Sequence, residues 1–330
     1  MKYFNPSNYE SNYVRYFSLG REALEESFIL IGIGKGDLVL VPELICEEVT
    51  ETIKKVNARP VFYKVKYDLQ PETLIFQKNI KAVIAVNYFG FPQDLNPFKI
   101  FCKKNKLLLI EDNTHGLLSK DSSKKKLGLR ADIGIFSFRK TLFCPDGGIL
   151  SINKRIKFTE KEQLVFTNNN IYFFYLKKIL LNIQNKSGLK IFFFFQWLVR
   201  IFRLIFYGNK ILNETNPSRR RLLIKGPHKI SYQILNKTNL LNEGIRRKKL
   251  FLLFENKLSS LNINPVFKNL SENTIPYGYP FYARKNQINE VISIAKSLNL
   301  ECTKWPKFPK EVQLDKTSLH DSLFFINFLN

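Results

Sequence analysis

The sequence predicts an α/β protein: a mostly parallel sheet with helices on both faces, followed by a smaller α+β C-terminal region. Three observations carry this expectation. Short apolar runs of strand length alternate with amphipathic helical stretches over the first half of the chain, the pattern of parallel strands buried on both faces. At 330 residues the chain is long enough for a large core and a smaller second one. Apolar content of 45% and charged content of 24% are globular values.

In order along the chain, residues 17–34 (FSLGREALEESFILIGIG) read as a loop entering an amphipathic helix, with Ala23, Leu24, Phe28 and Ile31 at helical spacing. Leu38 to Pro42 (LVLVP) is a buried strand, Glu47 to Val56 a helix, and Pro60 to Val65 a strand. Lys81 to Val86 is a strand running into Asn87-Tyr88-Phe89-Gly90, and Phe98 to Lys104 is helical. Leu107 to Ile110 is an apolar strand ending in Glu111-Asp112. Ile133 to Phe138 and Ile149 to Ile152 are two further strands, joined by a loop carrying Lys140 and a Pro-Asp-Gly-Gly turn. Ser231 to Leu258 reads as one long helical region, Tyr277 to Ala283 as a strand, Gln287 to Leu298 as a helix, and Glu301 to Trp305 and Phe324 to Leu329 as strands. These boundaries set a large domain over 1–225 and a small, apparently shortened domain over 226–330. No internal repeat is visible.

Four cysteines without a CxxC pair argue against a disulfide scaffold or a structural metal and for a reducing compartment. The N-terminal stretch has no apolar signal core, so the expectation is a cytoplasmic protein. Net charge is +24 and unevenly spread: 22 Lys/Arg against 17 Asp/Glu in residues 1–150, and 30 against 11 in residues 151–330. Such a field suits anionic partners, namely nucleotide phosphates or an anionic membrane surface, although the chain's Lys- and Asn-rich composition explains it equally well. Nucleic acid is the weakest of these, since no helix-turn-helix, zinc finger or aromatic RNA-binding signature occurs. Residues 156–215 form a basic, aromatic, strongly apolar helical segment inside the large domain. Its longest uncharged apolar-dominated run, Ile191 to Val199, is too short to cross a bilayer. Core and dimer packing, a substrate lid or an in-plane membrane contact remain open for it.

Ligands of parallel α/β sheets sit off the carboxyl ends of the strands, which singles out a few residues. Lys140, in a tight loop between apolar strands, is placed as a Schiff-base amine would be, or is a surface lysine in a hairpin. Asp112 and His115 follow one strand end and Asn87 another; Asp112 either faces a site or caps a turn. Gly20 at a helix start lets backbone amides approach a phosphate, or belongs to a plain helix cap.

The order of these pieces resembles the DegT/DnrJ/StrS sugar aminotransferase family. The matching stretches are Gly20-Arg21-Glu22-Ala23-Leu24, Leu40-Val41-Pro42, Asn87-Tyr88-Phe89-Gly90, Ile110-Glu111-Asp112 with His115, and Phe136-Ser137-Phe138 followed by Lys140 and Gly147-Gly148. The resemblance implies a seven-stranded-type sheet of the aspartate-aminotransferase-like fold (fold type I) and pyridoxal 5'-phosphate (PLP) as cofactor. It makes Lys140 the Schiff-base lysine, Asp112 the partner of the pyridine nitrogen, and His115 a neighbour of the ring and its 3-hydroxyl. Ser137 and the amides of Gly20 and Arg21 become phosphate ligands, with Cys46 and Asn87 also at the cofactor. No metal is implied. The implied activity is amination of a keto-sugar nucleotide for cell-surface polysaccharide or related amino-sugar biosynthesis, with glutamate as donor, in a homodimer. The alternative is a catalytically altered family member with a regulatory or membrane-surface scaffolding role. Three departures stand out. The loop from Ser137 to Lys140 is two residues shorter than the family's usual form, Cys46 stands four residues after Pro42 where an aromatic is common, and the early end of the chain relative to most members leads to the expectation of a small domain without its last helix.

Overall fold

The computed structural model describes residues 13–153, 164–167, 171–187, 225–263, 265–305, 308–312 and 322–329. Among these described residues there are ten strands: β1 (Tyr13–Phe17), β2 (Leu38–Pro42), β3 (Arg59–Tyr63), β4 (Ile80–Val86), β5 (Leu108–Asn113), β6 (Ile133–Phe136), β7 (Gly148–Ile152), β8 (Gly278–Tyr282), β9 (Glu301–Lys304) and β10 (Leu323–Asn327). The α-helices are α1 (Gly20–Leu30), α2 (Glu47–Lys55), α3 (Asn96–Asn105), α4 (Tyr172–Ser187), α5 (Lys229–Lys237), α6 (Leu240–Ser259) and α7 (Lys285–Ser297).

The first seven strands make one sheet in the order β1-β7-β6-β5-β4-β2-β3. Pairs β2–β3, β2–β4, β4–β5 and β5–β6 are parallel, while β7 runs antiparallel to both β6 and β1. The α/β expectation is therefore met. Central strands are apolar throughout because both faces are covered: all five residues of β2 and all four of β6 are buried. Helix α1 packs on β6, β7 and α2, and α3 packs on β4 and β5.

Strand direction decides where a ligand can sit. β1 is antiparallel to β7, and β7 is antiparallel to β6, so β1 points the same way as β6 and the other parallel strands. Hence the ends of β1, β2, β4, β5 and β6 all open onto one edge of the sheet. The start of α1 and the turn after Phe136 share that edge.

Strand β1 is missing from the sequence-based reading. Its five residues alternate poorly and it is recognisable only by its pairing with β7, Phe17 opposite Gly148. The long helical region from Ser231 is two helices. Asn239 breaks it by accepting the amides of Leu241 and Asn242 on its side chain, which caps a new helix start. The strand expected to reach Phe138 stops at Phe136, and Phe138–Lys140 form a 3-10 turn.

A three-stranded antiparallel sheet, β8-β10-β9, lies near the C-terminus. Two compact units divide the chain: Met1–Thr167 with Lys225–Leu329, and Asn168–Ile224. The C-terminal sheet thus shares a unit with the large sheet, although the sequence sets it apart as a small domain from residue 226. Backbone bonds stitch the two sheets: Tyr277 N–H to the Phe89 carbonyl at 2.7 Å and Lys120 N–H to the Asn273 carbonyl at 2.9 Å. Of the second unit the structure describes α4. The rest of the basic segment 156–215, apart from residues 164–167, lies outside the described residues. No helix among the described residues is long and apolar enough to cross a membrane.

Candidate active site

A cavity of about 350 Å³ opens at the strand-end edge. Gly20, Arg21, Cys46, Asp112, His115, Ser137 and Lys140 all line it. Residues 120 positions apart in sequence meet here because each follows, or closes, a strand that ends on this edge.

Lys140 reaches the cavity despite its short loop. The amide of Lys140 donates to the Ser137 carbonyl at 3.2 Å and that of Leu142 to the Phe138 carbonyl at 2.7 Å. This tight turn, following directly on β6, turns the lysine back over the strand end. Its Nζ lies 3.3 Å from His115 Nε2 and 3.5 Å from Thr114 Oγ1. The two missing residues are thus absorbed by a 3-10 turn, and the amine is still delivered.

His115 is buried, and burial together with the Lys140 charge holds its pKa well below the usual imidazole value. Its Nδ1 accepts the Phe89 amide at 3.3 Å. The neutral ring therefore carries its proton on Nε2, the atom facing Nζ. Such a ring presents a neutral N–H, not a second positive charge, to the lysine. The ring is sandwiched by aromatics: Tyr277 stacks on it at 4.4 Å with an interplanar angle of 2°, and Phe89 at 5.8 Å.

Asp112 sits at the end of β5, and its Oδ1 accepts the Thr114 amide at 3.0 Å. That bond occupies one oxygen and leaves the other available to a ligand. Beside it, Glu111 points the opposite way because successive strand residues alternate. Glu111 is fully buried and receives Arg130 Nε at 2.9 Å and Nη2 at 2.7 Å. One strand end thus supplies a structural carboxylate and a site carboxylate.

Asn87 requires a correction. It does not line the cavity, and its amide is spent elsewhere: Nδ2 donates to Glu111 and Asn113, and Oδ1 accepts from the Gln93 amide and Arg130. These bonds brace β4 against β5.

At the other end of the cavity lies the start of α1. First-turn amides of a helix have no intrahelical acceptor, and Leu19 offers no side-chain cap, so the amides of Gly20 and Arg21 are open to an anion. Gly148 makes this possible. A Cβ there would come within 2.5 Å of the Leu19 carbonyl carbon and 2.6 Å of Gly20 N. Ser137, buried beside the loop, donates its hydroxyl to the Gly147 carbonyl at 3.3 Å. Cys46 contributes an inert wall, since burial pushes its thiol up to about 11 against the opposing pull of Lys140.

Arg139, Thr114, Lys304 and Trp305 also line the cavity, and the sequence reading did not include them. Thr114 could have been found from its place between Asp112 and His115. Trp305 carries no such signal: it comes from the end of β9 and packs edge-on to Phe89 at 4.8 Å. It supplies the aromatic surface that Cys46 does not. The cavity mouth is basic, with Arg21, Arg139 and Lys304 against Glu48.

Comparison with known proteins finds a family likeness over the first half of the chain. Residues 10–165 match the sequence model of the DegT/DnrJ/EryC1/StrS aminotransferase family. That stretch, just under half of the chain, is similar to this family. A curated relative, the GDP-perosamine synthase of Escherichia coli O157:H7, is 31% identical over 156 residues, which is 44% of this chain and 43% of that protein. The chain spans less than half the length of the curated relatives it matches. Among solved structures, a family aminotransferase from Brucella abortus superposes with a TM-score of 0.62 at 15% identity, covering 99% of this chain and 86% of that one. NtdA from Bacillus subtilis, solved with bound PMP, gives 0.60 at 15% identity, covering 96% and 69%. These likenesses show the fold. The family match covers every site residue of the large sheet and stops short of Trp305, which also lines the cavity, and of Tyr277, which stacks on His115.

Proposed function

We propose that the protein is a PLP-dependent aminotransferase that transfers an amino group from glutamate to a keto-sugar carried on a nucleotide. The observation that carries the reading is one cavity holding a lysine, a carboxylate and an anion cradle at three strand ends. The residues fit the cofactor: an aldehyde partner in Lys140, a ring-nitrogen partner in Asp112, and a phosphate cradle in the Gly20 and Arg21 amides with Ser137. When bound, PLP supplies an aldehyde that condenses with a primary amine, losing water, and a pyridinium ring that accepts the electron pair left when a proton departs from the substrate carbon.

The chain's own residues do the rest. Asp112 keeps a proton on the pyridine nitrogen by placing a negative charge beside it. Lys140 Nζ, beside the neutral His115, would hold the cofactor and then move the substrate proton as a general base. His115, Phe89, Tyr277 and Trp305 form the wall that excludes water from the reacting atoms. Arg21, Arg139 and Lys304 at the mouth suit the diphosphate of a nucleotide sugar, and the GDP-perosamine synthase relative supports that substrate class. Amino-sugar and surface-polysaccharide biosynthesis is the setting this implies. The test is the donor half-reaction. Glutamate added to the PLP-loaded protein should yield 2-oxoglutarate in amounts approaching one per site, and no oxo acid from any amino donor would sink the reading.

A second reading adds to the first. Helix α4 exposes Tyr175, Leu176 and Ile179 together with Lys177 and Lys178. Apolar residues at helical spacing with lysines beside them are what an in-plane contact with an anionic membrane uses.

A further inference from the structure

We propose that Arg247 is a positioning residue that braces the Lys140 turn and the aromatic wall around it through one guanidinium. The inference rests on the reading of Lys140 as the cofactor-holding amine. Arg247 lies on α6, 107 residues after Lys140 in the chain, and is 1% exposed. Its Nη2 donates to the carbonyl of Thr141, the residue after Lys140, at 2.7 Å. Its Nη1 donates to the Tyr277 carbonyl at 3.0 Å and the Pro276 carbonyl at 3.3 Å. Its Nε donates to Glu243 Oε1 at 2.6 Å, one helical turn back, which fixes the plane of the fork.

These bonds close a ring of contacts. From Arg247 the path runs through Tyr277 to its stack on His115, then from His115 Nε2 to Lys140 Nζ, and back through Thr141 to Arg247. Tyr277 is held from a second side as well, by its amide bond to the Phe89 carbonyl at 2.7 Å. Phe89 in turn donates the amide that sets the His115 tautomer. One guanidinium therefore fixes both the turn that carries the amine and the ring that orients it. Lysine cannot replace it, because a single ammonium cannot reach two separate carbonyls in a fixed plane. The shortened Ser137–Lys140 loop gives this brace its purpose: a turn with few residues is placed by what holds its far end, and Thr141 is that end.

The test uses the full-length chain and PLP. The rate at which added PLP becomes borohydride-trapped on Lys140 is followed by mass spectrometry. Arg247→Lys and Tyr277→Leu should each slow capture at least about fivefold, since small misplacements of a reacting group carry large rate costs. The double variant should be no slower than the slower single, as residues acting through one ring are not additive. Phe254→Leu, a buried change on the same helix, controls for loss of stability and should capture at the wild-type rate. Wild-type capture by Arg247→Lys, or equal slowing by Phe254→Leu, would overturn the brace. Reductive methylation of Lys140 by formaldehyde, without PLP, separates the two claims. If wild-type protein captures no PLP the aminotransferase reading fails, while an unchanged Lys140 methylation rate in Arg247→Lys overturns the brace.

Discussion

His115 illustrates how a single buried side chain sets the chemistry of its neighbour. The Phe89 amide fixes its tautomer and burial keeps it neutral, so the lysine meets a hydrogen-bond donor instead of a second cation. The same burial has a stability consequence. Folded His115 titrates below its ordinary value, so below that value the unfolded chain takes up a proton that the folded chain refuses. Its contribution to stability is fully present above about pH 6.5 and is lost as pH falls below it, at up to about 1.4 kcal/mol per pH unit. His115→Gln, which keeps an amide near Nζ and does not titrate, should show a shallower fall in melting temperature between pH 6.5 and 5 than wild type. Parallel melting profiles would show that His115 is not held neutral. Cys46 makes the complementary point: a thiol pushed to about 11 neither attacks nor ionises, so its place at the cavity is that of a small apolar filler.

Elements decide which of these residues meet. The mostly parallel, doubly covered sheet was readable from the sequence because the apolar runs LVLVP, KAVIAV and LLLI have no polar face and must be covered on both sides, while the strand order and β1 were not. Asp112 was readable because it closes such a run. Asn87 also follows a strand, but it does not line the cavity and its amide is captured by Glu111, Arg130 and Asn113, partners that only the folded pairing of β4 with β5 brings together. Trp305 and Tyr277 were not readable as site residues. They arrive from the C-terminal sheet through backbone bonds that no local pattern encodes. The start of α1 depends on Gly148 in β7, since a side chain there would press on the backbone of Leu19 and Gly20. Gly148→Ala should therefore weaken PLP binding by about tenfold or more, with the phosphate cradle displaced. Titration of cofactor binding checks this, and an unchanged Kd would place the phosphate elsewhere.

The charge of the whole molecule and its second unit belong together. The second half of the sequence carries most of the +24 excess, and α4, the described helix of the Asn168–Ile224 unit, shows lysines beside exposed apolar residues. Neither feature is needed to hold a cofactor. If they serve an anionic surface, the protein should float with liposomes containing anionic lipid and not with neutral ones, and the binding should fall steeply between low and high salt. Failure to float with anionic liposomes would remove the membrane reading and leave these residues to packing between copies, and flotation independent of lipid charge would remove the part given to the lysines.

The central claim is that the Lys140 amine is the group that holds the cofactor, and it is tested most directly at that atom. Protein incubated with PLP, reduced with borohydride and digested should carry the reduced cofactor mass on Lys140 alone, and Lys140→Ala should carry none while remaining folded. A label on another lysine, or no label on wild-type protein that is folded and saturated with PLP, would contradict the account.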